Sequence, residues 1–362
     1  MKVAVDAREL AGRPTGVGRY LEELLQEWAS SPDARRHEWR FYAHRAVPVP
    51  AALSPASVTI AGSGGTRWEQ TAFPRALGHD KPDVLFAPGY TAPLTTPCPV
   101  ALTIHDVSFA SHPEWFAFRE GLRRRTLTAW SARRARLVLT DSRFSADEIV
   151  KHIGIPRGRI RVIPLGMRRA VHPPAADREP VVLFVGSIFR RRHVDVLIDA
   201  FVNHVAPRVP ASRLEIVGEN RMYPPGDPAG GLSWCPPDIA RRVTIRSYVD
   251  EATLRELYQR ASVFAFMSSY EGFGLTPLEA LAAGVPPVVL DTAVAREVYG
   301  PAARYVAGVA SPIPLADALT ELLLNPQARD AVLGHADAVL ARYDWTRAAD
   351  TTLRALEEAA GA

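Results

Sequence analysis

The stretch from Ser262 to Val289 constrains the fold more than any other part of the chain. SVFAFM (Ser262 to Met267) is a continuous apolar run of strand length, carrying Val and Phe where a parallel strand buried on both faces would want them. It runs into SSYEGFG, in which Gly272 and Gly274 bracket Phe273. Glycines so placed let backbone N–H groups approach a ligand, or take a positive φ, with no Cβ in the way. Leu275 leads from this loop toward Pro277, which suits the first turn of a helix. The helix PLEALAAG stops at Gly284, a natural C′ residue, and PPVVL is the next buried strand. The spacing predicts a β–loop–α–β unit, the building block of an α/β protein.

Two carboxylates mark this unit, Glu271 in the loop and Glu279 in the helix, with seven residues between them. Glu271 sits beyond the carboxyl end of a strand, where open α/β sheets bind ligands. Glu279 falls in the first helical turn. There an ionised carboxylate either accepts hydrogen bonds from sugar hydroxyls or complements the helix dipole, a common role worth about 0.3–1 kcal/mol.

At 362 residues, 47% of them apolar, the chain suits two domains of about 150–180 residues. It contains no uninterrupted apolar run of membrane-spanning length, and MKVAVDAREL reads as a first strand rather than a leader, so a cytoplasmic protein is expected. Cys98 and Cys235 stand in proline-rich settings without C-x-x-C or histidine spacing, which excludes a disulfide framework and a zinc site and leaves two free thiols. No G-x-G-x-x-G follows a strand with an acidic residue about 20 positions later, against a dinucleotide-dependent dehydrogenase.

Taken in order, KVAVDA is a strand, and Gly16 and Gly18 lie where the following loop enters an amphipathic helix, suited to an anion or simply to a tight turn. The strand ALTI ends in His105 and Asp106, again at a carboxyl edge, so the pair reads either as acid–base machinery or as a carboxylate that fixes a loop. From Phe116 to Leu139 a helical pattern carries Arg119, Arg123, Arg124, Arg125, Arg133, Arg134 and Arg136, with Trp115, Phe116, Phe118 and Trp130 interleaved. Such a cluster fits an anionic membrane surface, a phosphate-bearing acceptor or a solvated face. Ser142 or Ser145 is expected to cap the next helix. VHPPAADREP (171–180) is the expected linker, between a first domain at 1–170 and a second at 181–344, with a last helix at 345–362. VVLFVGS restarts the pattern, and beyond Gly186 and Ser187 the guanidiniums of Arg190, Arg191 and Arg192 suit a diphosphate, which arginine binds bidentately.

EGFGLTPLEALAAGVPPVV resembles the E-x7-E signature of the family-four, or group 1, nucleotide-sugar-dependent glycosyltransferases, which retain anomeric configuration and have the GT-B fold. GVGRY, HDVSF and the arginine loop occur in the order that the family shows. The resemblance implies two doubly wound Rossmann-like domains facing across a cleft, the first holding the acceptor, the second the nucleotide sugar, and the last helix crossing back to the first domain. It places Glu271 and His105 against the donor sugar, Glu279 on the ribose, and Arg191 and Arg192 with Gly16, Gly18, Gly186, Ser187 and the Gly272–Phe273–Gly274–Leu275 loop around the donor. Where relatives have Arg-Lys-Asn this chain has Arg191, Arg192 and His193, which keeps the charge and changes the geometry. It also places the Tyr248–Val249 loop near the base and Glu297 at an acidic loop position. No cofactor and no metal are implied, and no D-x-D stands at a strand end. The expected activity is hexosyl transfer, mannose favoured, to a glycan or polyprenyl-diphosphate-linked acceptor in polysaccharide or lipopolysaccharide synthesis, with peripheral contact at the inner membrane face and no nucleic acid partner. A sugar-nucleotide epimerase on the same architecture and a non-catalytic nucleotide-sugar-binding protein are the rivals.

Overall fold

The structure, a computed structural model, describes residues 1–12, 16–53, 56–168, 178–232 and 235–361. Two compact units emerge, Met1–Pro113 with Phe118–Gly166 and Tyr343–Ala362, and Glu114–Ala117 with Met167–Arg342. The first contains β1 (Lys2–Asp6), α1 (Gly16–Ser30), α2 (Pro32–Arg35), β2 (Glu38–Ala43), β3 (Ala56–Thr59), α3 (Thr66–Asp80), β4 (Val84–Ala87) and β5 (Val100–Thr103). It continues through α4 (Ser108–Ser111), α5 (Phe118–Arg134), β6 (Leu137–Thr140), α6 (Arg143–Ile153) and β7 (Ile160–Val162). Its sheet is parallel, in the order β3-β2-β1-β4-β5-β6-β7.

The second unit runs β8 (Glu179–Val185), α7 (Val194–Ala200), α8 (Ala206–Arg208), β9 (Arg213–Val217), α9 (Pro237–Ala240), β10 (Val243–Arg246), α10 (Glu251–Arg260) and β11 (Ala261–Phe266). Then come α11 (Leu275–Ala282), β12 (Pro287–Leu290), α12 (Ala293–Tyr299), β13 (Arg304–Val306), α13 (Ile313–Leu324), α14 (Pro326–Leu333) and α15 (Ala336–Leu340). This sheet is also parallel, β10-β9-β8-β11-β12-β13, so both units are doubly wound α/β layers.

Local chemistry explains the elements. β4, β5, β6, β11 and β12 are buried at every residue, as strands covered by helices on both faces must be. Ser142, the nearer of the two candidates, caps α6 by accepting from the Ser145 amide at 3.0 Å. A final helix, α16 (Trp345–Ala360), packs on α1 within the first unit, where the Trp28 indole donates to the Ala349 carbonyl at 2.9 Å.

The expected linker, 171–180, lies outside the described residues as far as 177. Its last three residues belong to the second unit. Glu179 and Pro180 open β8, and the Arg178 guanidinium donates to the carbonyls of Tyr258, Gln259, Ala261 and Ala283 at 2.6–3.2 Å.

Candidate functional site

In the second sheet the strand order reverses between β8 and β11, which lie side by side with Val263 opposite Val182 and Phe264 opposite Leu183. A crevice opens at such a switch point beyond the carboxyl ends of the two strands, because their crossover helices leave to opposite faces. The loops that leave here are Gly186 to His193 and Met267 to Gly274, the two that the sequence singles out. Gly186 has φ +142°, and a side chain on it would strike the Arg192 guanidinium, so only glycine lets the loop turn under that group. Arg190–Arg192 form one 3-10 turn, and His193, at φ +46°, hands the chain to α7.

The turn aims the arginines differently. Arg192 Nε donates to Glu271 Oε1 at 2.8 Å, and its Nη1 donates to the Ser187 carbonyl at 3.0 Å. Arg191 lies over the Phe189 ring at 4.3 Å and donates from Nε to the Tyr270 carbonyl at 3.2 Å. Arg190 is exposed and has no part in this arrangement. The Glu271 carboxylate also accepts from the Ser268 hydroxyl at 2.8 Å. Glu271 and Arg192 are 15% and 14% exposed, so the pair is largely desolvated. Burial pushes the Glu271 carboxyl up, but the Arg192 and Arg191 charges, with the Arg192 and Ser268 hydrogen bonds, outweigh it and hold the acid below the usual carboxylate range. Glu271 is therefore an anion at neutral pH.

After the buried Phe273, Gly274 takes φ +89° and serves as N-cap of α11. Its carbonyl accepts from the Tyr299 hydroxyl at 2.9 Å, and a Cβ on Gly274 would collide with that hydroxyl. The first amides of α11 have no acceptor within the helix, and with Arg191 and Arg192 nearby in the fold they suit an anion. Glu279 lies in the second half of α11 and not in its first turn as expected, because the helix opens at Leu275, two residues before Pro277; it accepts at Oε2 from the Tyr258 hydroxyl at 3.2 Å. Leu275 opens the helix. The two glutamates thus have protein donors that sequence spacing does not reveal: Ser268 and Arg192 for one, Tyr258 for the other.

In the first unit His105 follows β5. Its Nδ1 lies 2.8 Å from Asp141 Oδ2 and its Nε2 3.0 Å from the Pro88 carbonyl. A carboxylate and a carbonyl both accept, so this arrangement favours a ring that donates from both nitrogens, the imidazolium form. Burial pushes the His105 pKa down, yet the Asp141 charge and hydrogen bond, the Pro88 carbonyl and Asp106 raise it above the ordinary value overall. Asp141, directly after β6, is the partner that the sequence reading missed; its signal was an acid closing a buried strand, LVLTD. Asp106 is instead the loop-fixing carboxylate. It accepts from the Ser108 amide at 2.8 Å, the Ser108 hydroxyl at 2.6 Å and the Tyr90 hydroxyl at 3.1 Å. Gly16 and Gly18 form the first turn of α1; Gly18 is buried, and a methyl on Gly16 would meet no atom within 4 Å.

The arginine-rich helix is α5, and it is inside out. Its buried residues are Gly121, Thr128, Ser131 and Ala132, all small, while Phe118, Leu122 and Trp130 are 79%, 43% and 45% exposed. Arg123 and Arg124 are spent on Glu120, whose carboxyl their hydrogen bonds and charges hold down to about 2. That pairing was legible at i,i+3 and i,i+4 spacing and removes two arginines from the outward charge. Trp115 groups with the second unit, its ring 6.2 Å from that of Tyr270. Among the described residues no helix is long and apolar enough to cross a membrane.

Residues 14–170 match Glycosyltransferase Family 4, and residues 170–333 match Glycosyl transferases group 1. The chain is 28% identical to O-antigen chain mannosyltransferase B of Escherichia coli over 222 residues, 55% of either chain. It is 26% identical to the GDP-mannose:cellobiosyl-diphosphopolyprenol alpha-mannosyltransferase of Komagataeibacter xylinus over 241 residues, 66% of this chain and 60% of that one. The chain thus spans little more than half the length of these curated relatives. Anabaena HepE in complex with UDP-glucose superposes with a TM-score of 0.74 at 16% identity, over 98% of this chain and 100% of that one.

Proposed function

Because this chain belongs to the group 1 glycosyltransferases and has their GT-B fold, we propose that it transfers a hexose, mannose by preference, from a nucleotide-diphosphate sugar to a glycan or lipid-linked acceptor. The observation that carries the reading is the convergence of Arg191, Arg192, Glu271 and the α11 N-terminus at the β8/β11 switch point. The preference for mannose is supported by two mannosyltransferase relatives.

In this reading the two arginines and the first amides of α11 hold the diphosphate and stabilise it as it leaves: the bond from the anomeric carbon to the phosphate oxygen breaks, that carbon bonds the acceptor hydroxyl oxygen, and the hydroxyl proton passes to the departing phosphate. Arg192 has its Nε on Glu271, which aims the rest of the fork. Glu271, anionic and rigid, lies against the donor sugar and favours the positive charge that develops at its anomeric carbon. Glu279 takes the ribose hydroxyls. Within the first unit, His105 is the candidate for a sugar contact: its Nε2 can exchange the Pro88 carbonyl for a sugar oxygen while Asp141 keeps the ring oriented. The reaction proceeds with retention and without a metal ion.

Kinetics of two variants test these roles. Glu271→Ala is expected to lower kcat about 30-fold with KM for the donor little changed, and Glu279→Ala to raise KM about tenfold with kcat little changed. Wild-type behaviour in both would sink the assignment. The donor is found by thermal shift against a panel of nucleotide sugars, since a ligand at 100 times its dissociation constant stabilises by about 2.7 kcal/mol.

The acceptor is proposed to be polyprenyl-diphosphate-linked and reached at an anionic membrane surface. Support comes from α5, whose Phe118, Leu122 and Trp130 are exposed beside the exposed Arg119 and Arg125, neither of which has an ion-pair partner among the described residues. Each basic residue near such a surface contributes about 1 kcal/mol. Replacing Arg119 and Arg125 by Ser is therefore expected to weaken binding to anionic vesicles about 30-fold at low salt, while Arg123→Ser, already paired with Glu120, changes it less. Co-sedimentation at low and high salt measures this. Equal, negligible binding in every condition removes the membrane and leaves a soluble acceptor.

A further inference from the structure

We propose that Tyr258 is a positioning residue for ribose recognition, a role that rests on the reading of Glu279 as the ribose ligand. A glutamate on a helix has three side-chain torsions, and holding them in one geometry costs rotamer entropy. A donor fixed by the fold offsets that cost before the nucleotide arrives. Tyr258 is such a donor. Its ring is buried and stacked on Phe264 of β11, with centroids 6.0 Å apart and planes at 28°, and its hydroxyl donates to Glu279 Oε2 at 3.2 Å.

The backbone is fixed as well. Arg178 Nη1 donates to the carbonyls of Tyr258 at 2.9 Å and Ala261 at 2.7 Å, while its Nη2 donates to that of Ala283 at 2.6 Å. One guanidinium thereby ties the carboxyl ends of α10 and α11 together and sets the distance from Tyr258 to Glu279. An ionised carboxylate has about four acceptor directions, so a tyrosine on Oε2 is compatible with further donors from two neighbouring ribose hydroxyls. Tyr299 acts at the other end of α11, on the Gly274 carbonyl, and so bears on the diphosphate rather than on the ribose.

The two tyrosines therefore have separable signatures. Calorimetry with UDP and GDP, each beside its 2′,3′-dideoxy counterpart, is run on wild type, Tyr258→Phe, Tyr299→Phe, Glu279→Gln and the Tyr258→Phe/Glu279→Gln double variant. Wild type is expected to bind the natural form of its preferred diphosphate at least tenfold more tightly than the dideoxy form, because hydrogen bonds to a charged group are lost. Tyr258→Phe is expected to weaken the natural form about 3- to 10-fold and leave the dideoxy form unchanged. Tyr299→Phe should weaken both alike. The double variant should lose no more than Glu279→Gln, as residues acting through one another do.

A Tyr258→Phe protein that discriminates as wild type does, or that loses affinity equally for both forms, overturns the positioning role and leaves the ribose reading standing. Wild type and Glu279→Gln that bind the two forms alike overturn the ribose reading, and the role of Tyr258 with it.

Discussion

Replacing Arg192 by Ala is expected to weaken nucleoside diphosphate binding at least 100-fold and to lower the free energy of unfolding by about 3 kcal/mol. Two separate causes are at work. The guanidinium lies at the switch point with its fork held by Glu271 and the Ser187 carbonyl, so the charge-assisted contacts it offers a phosphate are preorganised and worth about 1.5–3 kcal/mol each. It is also the main charge against a carboxylate that is only 15% exposed, and removing one member of a buried pair leaves the other without compensation, at about 3–5 kcal/mol. The causes separate in a double variant. Arg192→Ala with Glu271→Gln removes both charges, so it should recover most of the stability and none of the diphosphate affinity. Urea unfolding and calorimetry with UDP and GDP measure the two, and a single variant that keeps diphosphate affinity would refute the phosphate role. The pH dependence has a definite sign. The Glu271 carboxyl is depressed, so its contribution is present above the unfolded value of about 4.3 and lost as pH falls through the folded one. Wild type should therefore lose more stability on acidification below pH 4.3 than Glu271→Gln does.

Asp141→Asn is expected to cost about 3 kcal/mol at pH 6, and less at pH 8. His105 has an acceptor on either side, Asp141 and the Pro88 carbonyl, and its pKa is raised. A raised imidazole contributes stability that is fully present below its unfolded value of about 6.5 and is lost as pH rises through the folded value. Asparagine keeps the shape and an acceptor oxygen but removes the charge, which leaves a buried cation below pH 6.5 or forces the ring neutral. The stability of wild type should fall as pH rises across that window, and that of Asp141→Asn should be flat or rise. Chemical denaturation from pH 5.5 to 8.5 checks this, and parallel pH profiles would show that His105 is not charged in the fold. Imidazole NMR titration reads the same group directly.

The sequence by itself determined the fold class, because what specifies a parallel α/β layer is local. VLFA, LVLT and ASVFAF are dominated by apolar residues and buried at every position, since such strands are covered on both faces. The E-x7-E unit is short for the same reason, one strand, one loop and one helix, so its two glutamates could be read from spacing. The tertiary structure alone decided what each side chain touches. His105 pairs with Asp141, 36 residues away and directly after the adjacent strand β6, and not with its chain neighbour Asp106. Arg192 meets Glu271 across 79 residues because β8 and β11 are neighbours at the point where the strand order reverses. Tyr258 reaches Glu279 from a different helix, at whose end Arg178 donates to the Tyr258 carbonyl as well as to that of Ala283 after α11. Spacing along a chain reports periodicity and turn chemistry, whereas ion pairs and hydrogen bonds depend on which strands lie side by side, and strand order is settled by the packing of whole helices against whole sheets.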